Sequence, residues 1–305
     1  MISLRYHVVT IVAIFLALAI GLLAGSAFVE PELVDQLRGQ TDNLRGEVRQ
    51  REDQLAEARA ELDAFGGFVD AVVPTLTDGR LAGTPVVVVT QTGVEDSVLA
   101  QTQSALANAG AHVLTTVSAT DELVSEDTAT QQQLAAIVGE PAASADELPT
   151  LAAQALAQGL SPSTSVVGGD VLDQLLSAGF LAPVGPGPSQ STLQEIGQPG
   201  QVVIVLSGGR GDENPTLPPE DFAVPLVTRL AGLSVPVAAG ESLLSDYPYV
   251  SLVRDAGTDG TVTVDDLDRT IGGAALVLGL EDLLATGDGG AYGVKDGADP
   301  LPPLP

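Results

Sequence analysis

From Val8 to Val29 the chain carries no charged side chain, and residues 11–25, IVAIFLALAIGLLAG, are almost continuously aliphatic. At ~1.5 Å of rise per residue, such a helix covers the roughly 30 Å hydrocarbon core of a bilayer. A cleaved secretion signal has a shorter apolar stretch of about 7–15 residues. Residues 1–29 therefore read as a transmembrane signal-anchor, with cleavage near Gly25-Ser26-Ala27 as the alternative. Without a single cysteine there is no lipobox, so lipoprotein anchoring is excluded. Arg5 precedes the span, whereas Glu30, Glu32 and Asp35 follow it and the next cation is Arg38. This pattern places the N-terminus inside and the bulk of the chain outside the cytoplasm.

Within the span Ala13, Ala17, Gly21 and Gly25 recur every four residues, giving one helix face smooth enough for close contact with a second helix. Pro31 suits a helix start, and residues 30–65 accept a coiled-coil heptad. Val34, Thr41, Val48, Leu55 and Leu62 take its a positions, and Leu37, Leu44, Arg51, Ala58 and Phe65 its d positions. Eight of these ten are apolar, with charged flanks such as Glu47, Arg49 and Glu52, so the expectation is a homodimer. Arg51 in the seam fixes register at a cost in stability. Gly66-Gly67 is expected to end the helix, with a linker over residues 66–84.

The full length of 305 residues leaves ample chain for a domain with its own core. Asp and Glu outnumber Lys and Arg by 40 to 12, a net charge of −28, so nucleic acid is not an expected partner. Lysine occurs once, at Lys295; histidine only at His7 and His112; methionine only at Met1. That inventory offers neither a disulfide framework nor a thiolate metal site nor a thiol nucleophile, and no metal or cofactor site is assigned.

From residue 85 to 295 strand-like and helix-like segments alternate. Pro85–Thr90, Ala111–Val117, Ser165-Val-Val, Gln201–Leu206 and Val235–Ala239 read as strands. Val94–Asn108, Val171–Ser177, Asp221–Leu233 and Ile271–Leu284 read as helices, and Asp121–Gly159 as helical but interrupted by Gly139, Pro141 and Pro149. The fold class is α/β, an open Rossmann-like sheet after the membrane helix and the coiled-coil helix. Residues 296–305 form a Pro-rich tail.

No catalytic constellation stands out. Ser207-Gly-Gly-Arg-Gly211 follows a strand and has amides and Arg210 to offer an anion, yet matches neither a dinucleotide fingerprint nor a Walker loop, and reads as a flexible loop. Gly168-Gly169 reads as a tight turn, and His112 as a structural side chain beside a strand. Asp255-Ala-Gly-Thr-Asp259-Gly260 with Asp265 and Asp266 lacks the third-position oxygen and final glutamate of a calcium loop. It reads as a turn and helix start.

Two stretches resemble a known family. Met1-Ile-Ser-Leu-Arg-Tyr-His-Val-Val running into IFLALAIGLLAGS is one; Thr261-Val-Thr-Val-Asp-Asp-Leu-Asp-Arg-Thr-Ile-Gly-Gly-Ala-Ala-Leu-Val-Leu-Gly-Leu280 with Ala291-Tyr-Gly-Val-Lys-Asp-Gly-Ala298 is the other. Both resemble the actinobacterial copper transport outer membrane proteins of the MctB family, which include SteB-like septation proteins. The resemblance implies a role in copper efflux or homeostasis in the cell envelope; the residues themselves point to a non-enzymatic dimeric scaffold or regulator acting through its α/β domain, with a direct copper efflux component as an alternative. The resemblance also implies an alternative in septation, with a SteA-like membrane partner and control of a peptidoglycan hydrolase. No site residues carry over from it. Copper(I) prefers sulfur ligands, which this chain supplies only at Met1, and aromatic residues are too few for the girdles of a transmembrane β-barrel.

Overall fold

A computed structural model of the chain describes residues 4–27, 31–162, 169–209, 216–247, 249–257, 260–299 and 301–302. The chain divides into two units, Met1–Gly67 and Phe68–Pro305.

In the first unit helix α1 spans Leu4–Ala27, and its stretch Tyr6–Gly25 is long and apolar enough to cross a membrane. Helix α2 runs over Pro31–Thr77. It does not stop at Gly66-Gly67, and neither glycine takes a positive φ. The reason lies in the residues beyond: Val69, Val72, Val73 and Leu76 keep the helical period and are partly buried within the second unit. Asp70 accepts a hydrogen bond from the Thr270 hydroxyl. Asn108 Nδ2 donates to the Pro74 carbonyl at 2.8 Å and to Thr77 Oγ1 at 2.8 Å. The first part of the expected linker is thus helix, and the stop comes after Thr77, where Gly79 adopts φ +68°.

Among the described residues the second unit forms a seven-stranded sheet in the order β3-β2-β1-β4-β5-β6-β7. In chain order its elements are β1 (Pro85–Gln91), α3 (Asp96–Asn108), β2 (His112–Ala119), α4 (Thr128–Val138), α5 (Leu148–Gly159), α6 (Gly169–Ser177), β3 (Leu181–Pro183) and α7 (Gln190–Glu195). There follow β4 (Val202–Leu206), α8 (Ala223–Gly232), β5 (Val237–Gly240), α9 (Tyr249–Asp255), β6 (Thr261–Val264), α10 (Thr270–Thr286) and β7 (Gly290–Tyr292). All pairings are parallel except that of β3 with β2. A parallel sheet buries both faces, which is why β1 and β4 read as unbroken valine-rich runs. Val87, Val89, Val203 and Val205 point to one core with α5, α8 and α9; Val86, Val88, Val202 and Ile204 point to the other with α3 and α10.

The expected breakers act as boundaries. Gly139 closes α4 at φ +79°, and Pro149 sits in the first turn of α5, where a missing N–H costs nothing. The expected strand at Ser165-Val-Val and the turn residue Gly168 lie outside the described residues. Between the expected turn at Asp255–Gly260 and the acids Asp265 and Asp266, Thr261–Val264 form strand β6: its β-branched alternation puts Val262 and Val264 into the α10 core and Thr261 and Thr263 on the opposite face.

The last crossover is unusual. The units β4–α8–β5 and β5–α9–β6 step across the sheet with their helices on one face. The unit β6–α10–β7 steps in the same direction with its helix on the other face, beside α3. It therefore has the opposite hand from its neighbours, against the strong right-handed preference of such connections. Helix α10 is apolar almost all round, with ten buried residues from Gly272 to Leu283, and fills the face that α3, residues near Leu81 and Leu301 also cover.

Candidate functional site

Glu241, Asp265 and Asp266 follow the carboxyl ends of β5 and β6 and are almost wholly buried, at 1, 0 and 2% exposure. Such carboxylates persist only where partners replace water. Glu241 Oε1 lies 2.7 Å from Nζ of Lys295, the lysine of this chain, and Oε2 accepts from the amides of Tyr249 (2.9 Å) and Val250 (3.1 Å). Burial and the Glu241 charge push the Tyr249 hydroxyl well above its usual range, and it donates to the Val205 carbonyl. Asp265 Oδ2 pairs with Arg254 Nη1 at 2.9 Å, while Oδ1 accepts from the amides of Val294 (2.8 Å) and Lys295 (3.2 Å). Arg254 extends this network, donating from Nε to Thr263 Oγ1 (3.0 Å) and from Nη2 to the Tyr292 carbonyl (3.1 Å).

Gly293, at φ +129°, lets the chain wrap this carboxylate, since a Cβ there would stand 2.2 Å from Asp265 Oδ1. The two late segments that carry the family resemblance, Thr261–Leu280 and Ala291–Ala298, thus meet at one hub. Residue-by-residue reading of the sequence missed it. Its available signals were the solitary Lys295 and the two acids directly after the Thr-Val-Thr-Val run.

The strand order reverses between β1 and β4, the place where open α/β sheets take ligands. Here that crevice is occupied by the chain itself. The Ser207 hydroxyl donates to Gln91 Oε1, and Gln91 Nε2 to the Leu217 carbonyl at 3.3 Å. A Cβ on Gly209 would lie 2.5 Å from the Gly93 carbonyl oxygen. The Gly209 amide is already given to Ser245 Oγ at 3.0 Å, and its carbonyl accepts from the Asp246 amide. The start of the Ser207–Gly211 loop is therefore tied down rather than flexible; Arg210 and Gly211 lie outside the described residues.

The residues expected to mediate pairing lie on the first unit's helices. Ala13, Ala17, Gly21 and Gly25 are exposed on α1, and a Cβ added at Gly21 or Gly25 meets nothing within 4 Å. Leu44, Val48, Leu55, Leu62 and Phe65 are 53–68% exposed on α2; the side chains of Val34 and Leu37 lie outside the described residues. Among the described residues no group of three or more His, Asp or Glu side chains is placed to hold a metal ion. His112 is an exposed residue at the start of β2, and Asp255 ends α9.

Comparison with known proteins gives this arrangement a relationship. The family described as copper transport outer membrane protein, MctB, matches residues 1–303. The chain belongs to that family. It is 28% identical over 317 residues to the copper transporter MctB of Mycobacterium tuberculosis and to that of Mycobacterium bovis, covering 98% of each chain. The copper transporter MctB of Mycobacterium leprae is 28% identical over 332 residues with the same coverage. Anchor helix, α2 and sheet domain therefore all fall within the family match, and the family description names an outer-membrane protein of the envelope.

Proposed function

We propose that this protein is a non-enzymatic, membrane-anchored envelope factor serving copper homeostasis, which pairs through α1 and the α2 seam and works as a scaffold or regulator through its sheet domain. The observation that carries this reading is the heptad-spaced apolar series of Leu44, Val48, Leu55, Leu62 and Phe65, left exposed on a helix of a copper-transport family member. Large apolar side chains in regular register on a solvated helix call for a partner helix. With no cysteine, one methionine and two histidines, the chain is a poor conduit for copper(I), which favours a role exerted on a partner that handles the ion.

Full-length protein in nonionic detergent is expected to sediment as a dimer, and Leu55→Glu with Leu62→Glu to weaken pairing by at least tenfold. In a deletion strain the wild type should restore normal cellular copper and the Leu55→Glu, Leu62→Glu double variant should not. A monomer at high concentration sinks the pairing. Unchanged copper with misplaced septa in the deletion strain would replace the copper role by the septation role.

The orientation has its own test, made simple by the absence of native cysteine. Glu126→Cys, at an exposed position in the sheet domain, is expected to react with an impermeant maleimide in intact spheroplasts. A cysteine placed before residue 4 is expected to react only after lysis; the reverse pattern inverts the topology.

A further inference from the structure

The reversed crossover leaves a mark on the sheet. Because α10 crosses on the α3 face, the opposite face of β6 and β7 has α9 on one side and, among the described residues, no helix over β7. A groove of about 750 Å³ opens there. Its floor is Thr261, Thr263 and Arg254, and its rim carries Asp255, Asp288 and Asp296. Glycine backbone lines much of the rest, at Gly257, Gly260, Gly289 and Gly290 among others.

Three observations define what this groove would accept. Arg254 is committed to Asp265, so the floor is electrically balanced, whereas the three rim aspartates are exposed and face no other cation among the lining residues. Thr261 is 5% exposed and its Oγ1 has no hydrogen-bond partner, although strand alternation points it to the groove side of β6. Among the described residues no aromatic side chain lines the walls, so the groove lacks the stacking surface that sugars and nucleobases use. The volume exceeds what a bare ion fills, and the rim aspartates do not converge as a metal site. Glycine backbone without side chains, exposed at Gly257 and Gly297 and half-buried at Gly260, Gly289 and Gly290, leaves room for an extended main chain.

We propose that this groove between α9 and β7 binds an extended basic segment of a partner envelope protein, its ammonium or guanidinium groups received at the Asp255, Asp288 and Asp296 rim with Thr261 Oγ1 as an acceptor on the floor. Charge complementarity selects a basic partner over an acidic or neutral one.

The test uses full-length protein in nonionic detergent and a fluorescein-labelled peptide of alternating glycine and lysine, followed by fluorescence anisotropy at low salt. Asp288→Asn with Asp296→Asn is expected to weaken binding by about tenfold or more, as removal of two charges from a desolvating contact does. Thr261→Val, which alters no charge, is expected to weaken it several-fold, with an unchanged urea midpoint confirming that the fold is intact. Glu122→Gln with Glu126→Gln, exposed acids that do not line the groove, should leave binding as it was. Equal loss in that control pair would reduce the effect to the chain's overall negative charge and overturn the proposal. So would equal binding of a glycine–glutamate peptide, absence of binding, or groove variants that bind like wild type.

Discussion

Asp265→Ala is expected to destabilise the sheet domain by about 3–5 kcal/mol, the usual consequence of stranding one member of a buried ion pair. The carboxylate is fully buried and serves three groups at once: the Arg254 guanidinium and the amides of Val294 and Lys295. Alanine leaves the cation without its counter-charge and two N–H groups without an acceptor. Urea unfolding followed by far-UV circular dichroism reads the loss as a lower midpoint at unchanged slope. Arg254→Ala should also destabilise, and the double variant should lose distinctly less than the sum, because neither stranded charge remains. Should Asp265→Ala fail to fold, Asp265→Asn retains an acceptor for the amides and isolates the ionic part. A loss below about 1 kcal/mol in either aspartate variant would mean that water replaces the pair.

Its neighbour has the opposite effect. Asp266 is 2% exposed, one of its carboxyl oxygens has no partner, and its pKa is raised from 3.8 to about 6. Burial is the main cause, followed by the charge of Asp265; Arg269 partly opposes the shift. A carboxyl whose folded-state pKa is raised favours the folded chain while protonated, and that contribution fades as pH rises from about 4 through about 6. At neutral pH the charged form therefore weighs against folding, by on the order of 2–3 kcal/mol for a shift of this size. Asp266→Asn is accordingly expected to raise the urea midpoint at pH 7.5 and to bring little at pH 4. An equal gain at both values would assign the effect to packing instead.

Much of the architecture was legible because it depends on local pattern. The unbroken Val86–Val89 and Val202–Leu206 runs announce buried parallel strands, and the uncharged stretch from Val8 announces the apolar helix. Gly66-Gly67 misled, because a glycine pair is a stop signal only when nothing beyond it rewards helix. Here Val69, Val72, Val73 and Leu76 are partly buried and keep the helix going. The short elements α9, β6 and β7 were also missed: with three to seven residues each, their own pattern is weak, and tertiary pairing decides them. The hub was missed for the same reason. Glu241, Arg254, Asp265 and Lys295 are far apart in sequence, and only the strand order brings them together.

The order in which these partners are made has a consequence for biogenesis. Glu241 and Asp265 leave the ribosome before Gly293, Val294 and Lys295, which supply the cation and the amides that allow the two acids to be buried. Until that closing stretch emerges, the β5–β6 half holds carboxylates that must stay in water, so it cannot lock. A chain ending ahead of Gly293 thus lacks the cation and the amides that let these two acids leave water.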